Sequence, residues 1–225
     1  MIGVGGNMID RIRVCDDLAR AAEELGVLPF FRSGVLGWSV EERIDPAVWF
    51  TGEEGPWEWK GQLAFDKRCV YGKFIRNKTA FVSPEAFRDL ANWRRGGYSF
   101  EARLDEGLVP RAERLLMEYI SAHPCALSRD AKRGCGVVEG YDGALTRLEM
   151  QTYIVNADFR YSIDKHGKPY GWGGAVICAA EDWLGEEALA LPDGRTPEES
   201  FERLIARVKA GLPGVDEALL RRVMR

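Results

Sequence analysis

Between residues 109 and 180 the hydrophobic period changes from that of helices to that of a strand pair, and this order constrains the fold more than any other feature. Pro110 stands at a helix start, and Ala112, Leu115, Leu116 and Tyr119 recur at the spacing of one helical face through Ile120. Leu127-Ser128 leads into a short helix over Arg129–Arg133, with Ser128 as N-cap and Gly134 and Gly136 as stops. Asp142 is placed to cap a third helix carrying Leu145 and Leu148. The period then falls to two. Phe159, Tyr161 and Ile163 alternate with Arg160 and Ser162, Asp164-Lys165-His166-Gly167-Lys168 forms a polar turn, and Tyr170, Trp172 and Val176 resume the alternation. Three helices and a long hairpin predict an α+β fold containing a winged helix, with the hairpin as its wing. The same order fits three packed helices and an ordinary hairpin. Winged helices also serve as protein-interaction modules, so fold and function need separate arguments.

The flanking segments read as follows. Met8, Ile12, Cys15, Leu18, Ala19, Ala22 and Leu25 form a stripe that predicts a helix over Met8–Leu25, stopped by Gly26. Leu28–Phe31 and Val35–Trp38 suit a short strand and turn, and Thr51–Pro56 is a polar loop. Lys67–Val82 reads as a hairpin turning at Asn77-Lys78. Ser83-Pro84-Glu85 starts a helix whose far end carries Arg94 and Arg95, for which the helix dipole is a sufficient reason. Asp182–Leu191 suits a short helix or loop, and Thr196-Pro197-Glu198-Glu199 is a capping box before Phe201, Leu204, Ile205 and Val208. After Gly211-Leu212-Pro213-Gly214, a last helix carries Leu219, Leu220, Val223 and Met224. No repeat is visible. The chain reads as one compact unit or as two packed halves, 1–104 with a helix and hairpin and 105–225 with the winged helix and C-terminal helices. The second form makes it a tandem of winged-helix-like halves.

No apolar run approaches the roughly 20 residues that cross a bilayer, and the start lacks a basic-then-apolar leader, so a cytoplasmic protein without membrane contact is expected. The five cysteines (Cys15, Cys69, Cys125, Cys135, Cys178) form no Cys-x-x-Cys pair and have only His123 and His166 as imidazole companions. That argues against a structural zinc site and suits reduced thiols; the chain is read as needing no metal or cofactor. The net charge of −4 argues against a protein that coats nucleic acid. Its distribution is uneven, because residues 60–100 hold 9 basic and 3 acidic groups while residues 1–59 hold 5 and 11. One locally basic stretch suits either a single anion-binding face or a solvated face balancing acidic helices.

Nucleophile-elbow, phosphate-loop and zinc-protease signatures are absent, and Gly3-Val4-Gly5-Gly6 follows no strand that would make it a dinucleotide loop. The residues suited to contact DNA are cations and polar helix positions. Lys73, Arg76 and Lys78 lie on the first hairpin, and Lys165, His166 and Lys168 on the wing, all suited to phosphate. Aromatics Trp57, Trp59, Tyr71 and Phe74 interleave with the first group, with the tryptophans favoured as core. On the third helix Thr146, Arg147, Glu149 and Gln151 are read as projecting away from Leu145 and Leu148, toward base edges. Glu149 suits phosphate contact badly; it fits either a solvent-facing helical position or a catalytic carboxylate that orients water or stabilises a cationic sugar.

Gly55-Pro56-Trp57-Glu58-Trp59-Lys60-Gly61, Tyr71-Gly72-Lys73-Phe74 and Phe81-Val82-Ser83-Pro84-Glu85 resemble the AlkZ-related bacterial proteins, as do Arg147-Leu148-Glu149-Met150-Gln151-Thr152-Tyr153 and Lys168-Pro169-Tyr170-Gly171-Trp172. That group is distantly similar to the AlkZ/YcaQ-type DNA glycosylases, which are tandem winged-helix enzymes that excise alkylated or crosslinked bases. Their catalytic signature is glutamine, an apolar residue, then glutamine or aspartate. The resemblance places it on Glu149, Met150 and Gln151, with glutamate replacing the first glutamine. It implies a DNA-binding winged-helix protein in repair or regulation, with a glycosylase on alkylated bases or an interaction module without nucleic acid as the alternatives.

Overall fold

Asp16 and Asp17 occupy the first turn of helix α1 (Cys15–Leu25), where negative charge suits the helix dipole, and Gly26 ends it at a positive φ of 73°. The helix starts later than its apolar stripe implies, because Ile12 instead forms a parallel bridge with Ile44. The computed structural model describes residues 11–49, 55–167, 169–191 and 193–225, without the side chains of 169, 170 and 172. Met8, Lys168 and most of the Thr51–Pro56 loop therefore lie outside the described residues, as does the Trp172 side chain.

After α1 come β1 (Val27–Pro29), the single-turn helices α2 (Val40–Arg43) and α3 (Pro46–Trp49), helix α4 (Pro56–Phe65), and the hairpin β2 (Val70–Ile75) and β3 (Lys78–Val82). The hairpin turns at Arg76 and Asn77, whose φ angles of 49° and 60° suit a tight turn that keeps the strand twist; this is one residue before the expected position. Helices α5 (Pro84–Arg95) and α6 (Phe100–Asp105) follow, and Ser83 caps α5 through its hydroxyl as its Ser-Pro-Glu start predicts.

The segment expected to hold three helices and a hairpin does so. It comprises α7 (Arg111–Ala122), β4 (Ala126–Leu127), α8 (Ser128–Gly134), α9 (Tyr141–Met150), β5 (Ile154–Ile163) and β6 (Pro169–Ala179). Two caps differ from expectation. Leu127, paired in β4, precedes α8, so Ser128 is its first helical residue, and Gly140 in a left-handed conformation caps α9, leaving Asp142 in the first turn. Helices α10 (Ala180–Leu184), α11 (Glu186–Leu189), α12 (Pro197–Gly211) and α13 (Glu217–Met224) complete the chain, with the Thr196 capping box in place.

The fold is α+β, and among the described residues the sheet has six antiparallel strands in the order β1-β3-β2-β5-β6-β4. That order is symmetric. In each half a helix leads to a short strand, further helices, and a hairpin whose second strand pairs with the short one, β1 with β3 and β4 with β6. The halves join where Tyr71 of β2 faces Asn156 of β5. The helix before each hairpin repeats in backbone detail. Both α4 and α9 have ten residues and a glycine N-cap, and each is followed by a C-cap residue and then a non-glycine residue with positive φ, Lys67 at 56° and Thr152 at 65°. The spacing from Gly55 to Tyr71 equals that from Gly140 to Asn156. Apart from Gly55 and Gly140, Leu63 and Leu148, and Val70 and Val155, matched positions between Gly55 and Tyr71 carry different residues, which is why no repeat is visible in the sequence.

The main core lies on the first half of the sheet, where Phe30, Tyr71 and Phe81 stack and α5 covers the other face through Phe74 and Phe87. Helix α12 packs Phe201, Leu204, Ile205 and Val208 into this same core and against Trp93. A second cluster unites Leu116, Ile120, Leu145, Leu148, Tyr153 and Ile177. Phe81 has no exposed surface and touches both Phe30 and Tyr71. Phe81→Ala is expected to cost about 3–5 kcal/mol of unfolding free energy, measured by denaturant titration.

Candidate functional site

The turn that ends α9 is built by an arginine from another helix. Thr152, buried and at positive φ, receives the Arg95 Nε at 3.1 Å on its hydroxyl and the Arg95 Nη2 at 2.7 Å on its carbonyl. Arg95 also pairs with Glu181 and lies over the Tyr153 ring at 4.4 Å. Arg94 turns the other way and donates to the carbonyls of Phe74, Met224 and Arg225, and its burial pulls its pKa down to about 10. The helix dipole is thus the smaller part of the role of either arginine.

With the turn fixed, α9 presents Glu149 to the sheet rather than to solvent. The expectation that Glu149 projects away from the core is overturned, since only 2% of it is exposed. Four residues separate it from Leu145, so the two share a face. Asn156 Nδ2 donates to Glu149 Oε1 at 2.7 Å, and Lys73 Nζ lies 3.5 Å from Oε2. Lys73 also donates to Thr146 Oγ1 at 2.9 Å, and Oε2 is buried beside the ammonium as an ion pair without a hydrogen bond. Burial dominates the titration and pushes the Glu149 carboxyl above its ordinary value of 4.5, against the opposing pull of Lys73 and Asn156. Burial likewise raises the neighbouring Tyr71 phenol, with Glu149 adding to the rise. The result is a carboxylate held without full compensation beside the seam of the two halves, under a lysine whose side chain is 34% exposed. A carboxyl in this setting holds its proton to higher pH than an exposed glutamate and can stabilise a nearby cation.

Of the other sequence candidates, Thr146 and Lys73 join this cluster and Gln151 does not. Gln151 is the C-cap of α9 and accepts from Arg103 Nη1, so it and Glu149 have different partners. Arg147 is half exposed, with its Nε held 2.6 Å from Oε1 of the buried Glu113. Arg76 and Lys78 are exposed at the first hairpin, and Arg76 donates to the Arg222 carbonyl at 3.1 Å. A notch of about 80 Å³ opens there, with Arg32, Ser33, Arg76 and Lys78 on its walls. Lys165 and His166 are exposed in the turn between β5 and β6, where Asp164 accepts from the His166 backbone amide. Trp59 is core and Trp57 packs partly buried against it. Arg95, Arg103, Glu113 and Asn156 are site residues that sequence reasoning misses; the available signal is Asn156, a polar residue inside the apolar run Ile154–Ala157.

Among the described residues, no cluster of His, Cys, Asp and Glu could hold a metal ion, and no helix is long and apolar enough to cross a membrane. The cluster on Glu149 falls within the stretch Arg147–Tyr153 that carries the resemblance drawn from sequence, and a comparison with known families covers nearly the whole chain. The chain belongs to the AlkZ-related family. The family match runs over residues 12–225 and so includes both halves of the sheet. No curated protein and no solved structure matches the chain.

The raised Glu149 titration has a measurable consequence. A carboxyl that binds its proton more tightly when folded costs nothing below its unfolded pKa, and its penalty grows as pH rises through the folded value. Glu149→Gln keeps the side chain's shape and can keep the Asn156 contact, while Lys73 remains bonded to Thr146. It should raise the denaturant midpoint above wild type at pH 8, and the gap should close as pH falls toward 4.5. Equal midpoints across that range would show that Glu149 carries no buried-charge penalty.

Proposed function

We propose that this chain is a DNA-binding protein of repair or regulation, built as a tandem of two winged-helix units. The observation that carries this reading is the order helix, short strand, helices, hairpin, present twice with the short strand on the hairpin's second strand each time. Each hairpin is then a wing. The first ends in Arg76 and Lys78 beside Arg32, and the second in Lys165 and His166, all exposed. Exposed cations at such tips suit the phosphate backbone, which fixes position and orientation without reading sequence. In this reading α9 contributes less to base recognition than its sequence implies, because Thr146, Arg147 and Gln151 all hold contacts within the protein. Membership of the AlkZ-related family supports a role connected with DNA repair.

A second reading, glycosylase activity on alkylated bases, is favoured by one observation: the buried Oε2 of Glu149, without a hydrogen bond, at the position that the resemblance gives to the catalytic signature of the AlkZ/YcaQ-type glycosylases, where glutamate replaces glutamine. There Glu149 would orient water or stabilise an oxocarbenium-like sugar. Gln151, turned to Arg103, would position the helix end rather than touch substrate.

Two experiments test these readings. For DNA binding, the double variant Arg76→Glu/Lys78→Glu and the single variant Lys165→Glu should each weaken binding to a generic duplex. Each should also flatten its salt dependence, by about one unit of log–log slope for every phosphate that is no longer neutralised. Unchanged affinity in both variants would remove the wings from the interface. For catalysis, release of 3-methyladenine or 7-methylguanine from alkylated DNA should disappear in Glu149→Gln and survive in Gln151→Ala. Release that persists in Glu149→Gln would end the assignment of Glu149.

A further inference from the structure

Cys125 and Cys178 face one another across the end of the β4–β6 ladder. That ladder pairs Ala126 with Ile177 and Leu127 with Val176, so one further step places Cys125 opposite Cys178. The two sulfurs are 2.8 Å apart, inside the contact distance of two unbonded sulfur atoms. Cys178 is buried and Cys125 half-buried. The Cys125 backbone has a positive φ of 57°, a conformation that costs a non-glycine residue free energy and aims its side chain at β6. Ala157, Val176, Leu127 and Trp183 enclose the pair in a small apolar cluster of their own. Neither cysteine takes part in the Glu149 cluster or the hairpin tips.

We propose that Cys125 and Cys178 form a thiol–disulfide exchange site, at which a small disulfide such as oxidised glutathione converts the two thiols to an intramolecular disulfide. The more accessible Cys125 reacts first as its thiolate. Its sulfur attacks one sulfur of oxidised glutathione, forms a mixed disulfide and releases one glutathione thiolate. Cys178 then gives its proton to solvent and attacks Cys125 Sγ, displacing the second glutathione. Two protein thiols are oxidised and one glutathione disulfide is reduced to two thiols, so electrons and atoms balance. Burial and the bond from Cys125 push the Cys178 thiol up to about 12, which makes it the poorer first nucleophile, while its sulfur, 2.8 Å from Cys125 Sγ, is placed for the second, intramolecular step. The new bond closes a covalent loop that contains α8, α9 with Glu149, and nearly the whole second hairpin, β5 and β6. The proposal stands independently of any DNA-binding role.

The full chain, incubated with oxidised glutathione at pH 8 and then alkylated under denaturing conditions, tests it by intact mass and peptide mapping. Of its five thiols, two should escape alkylation, with no glutathione retained and one peptide linking Cys125 to Cys178. The unfolding midpoint should rise by about 5–10 °C and return on treatment with dithiothreitol. Cys178→Ala should stop the reaction at a glutathione adduct on Cys125, whereas Cys125→Ala should leave Cys178 unmodified. Five alkylatable thiols in the wild-type protein after prolonged incubation would overturn the proposal, as would a bond mapped to Cys15 and Cys69. The wild-type result stands alone if either variant fails to fold.

Discussion

The pairing of β2 with β5 is the contact on which the rest of the structure depends. It turns two three-stranded units into one six-stranded sheet, with Tyr71 opposite Asn156 at the centre. An unpaired central edge in either unit would expose a row of backbone donors and acceptors, and pairing the two satisfies both. The helices before the hairpins then cross the seam. Helix α9 reaches back to β2 through Thr146 and Glu149, and α4 reaches forward to β5, where Lys60 lies over the Phe159 ring at 4.6 Å and Gly61 packs against it. The Glu149 cluster exists because residues 73 and 149, distant in sequence, meet at that seam.

Two buried cations near the seam show how differently it treats charge. Lys60 is enclosed by Trp57 and Phe159, and burial lowers its pKa against the opposing effect of Glu58. Arg95 is equally enclosed but fully engaged, by Thr152, Glu181 and the Tyr153 ring. Glu149 lies between these cases, with one oxygen bonded and the other not. Buried polar groups left partly unsatisfied cost stability, and they concentrate where a protein acts on something else. Glu113, also buried, shares this condition through its own unbonded Oε2, but the half-exposed Arg147 pairs with its other oxygen at 2.6 Å.

Local signals are legible in the sequence. The capping box at Thr196, the Ser83-Pro84 start of α5, the apolar face of α12 and the long hairpin all depend on neighbours within a few residues, and all are present. What depends on distant partners is not legible. Helix α4 begins at Pro56 within a glycine- and proline-bearing stretch, and α9 carries its carboxylate inward because Lys73 and Asn156 wait on other strands. The duplicated order is hidden because it is kept mostly in the backbone: Lys67 and Thr152 share a rare φ, and Tyr71 and Asn156 a register, without sharing chemistry. Among the site residues, the sequence marks Lys73, Thr146 and Glu149 but not their meeting. It groups Gln151 with Glu149 by adjacency, although the partner of Gln151 is Arg103.

The central claim is that exposed cations at the hairpin tips bind a phosphate backbone, and titration of the wild-type protein against a labelled generic duplex at several salt concentrations tests it most directly. The account predicts micromolar-range binding at low salt that weakens steeply as salt rises, with a log–log slope of about −0.9 for each phosphate neutralised. Absence of binding at low salt, or binding indifferent to salt, would contradict it and leave a protein-interaction role as the reading of this fold.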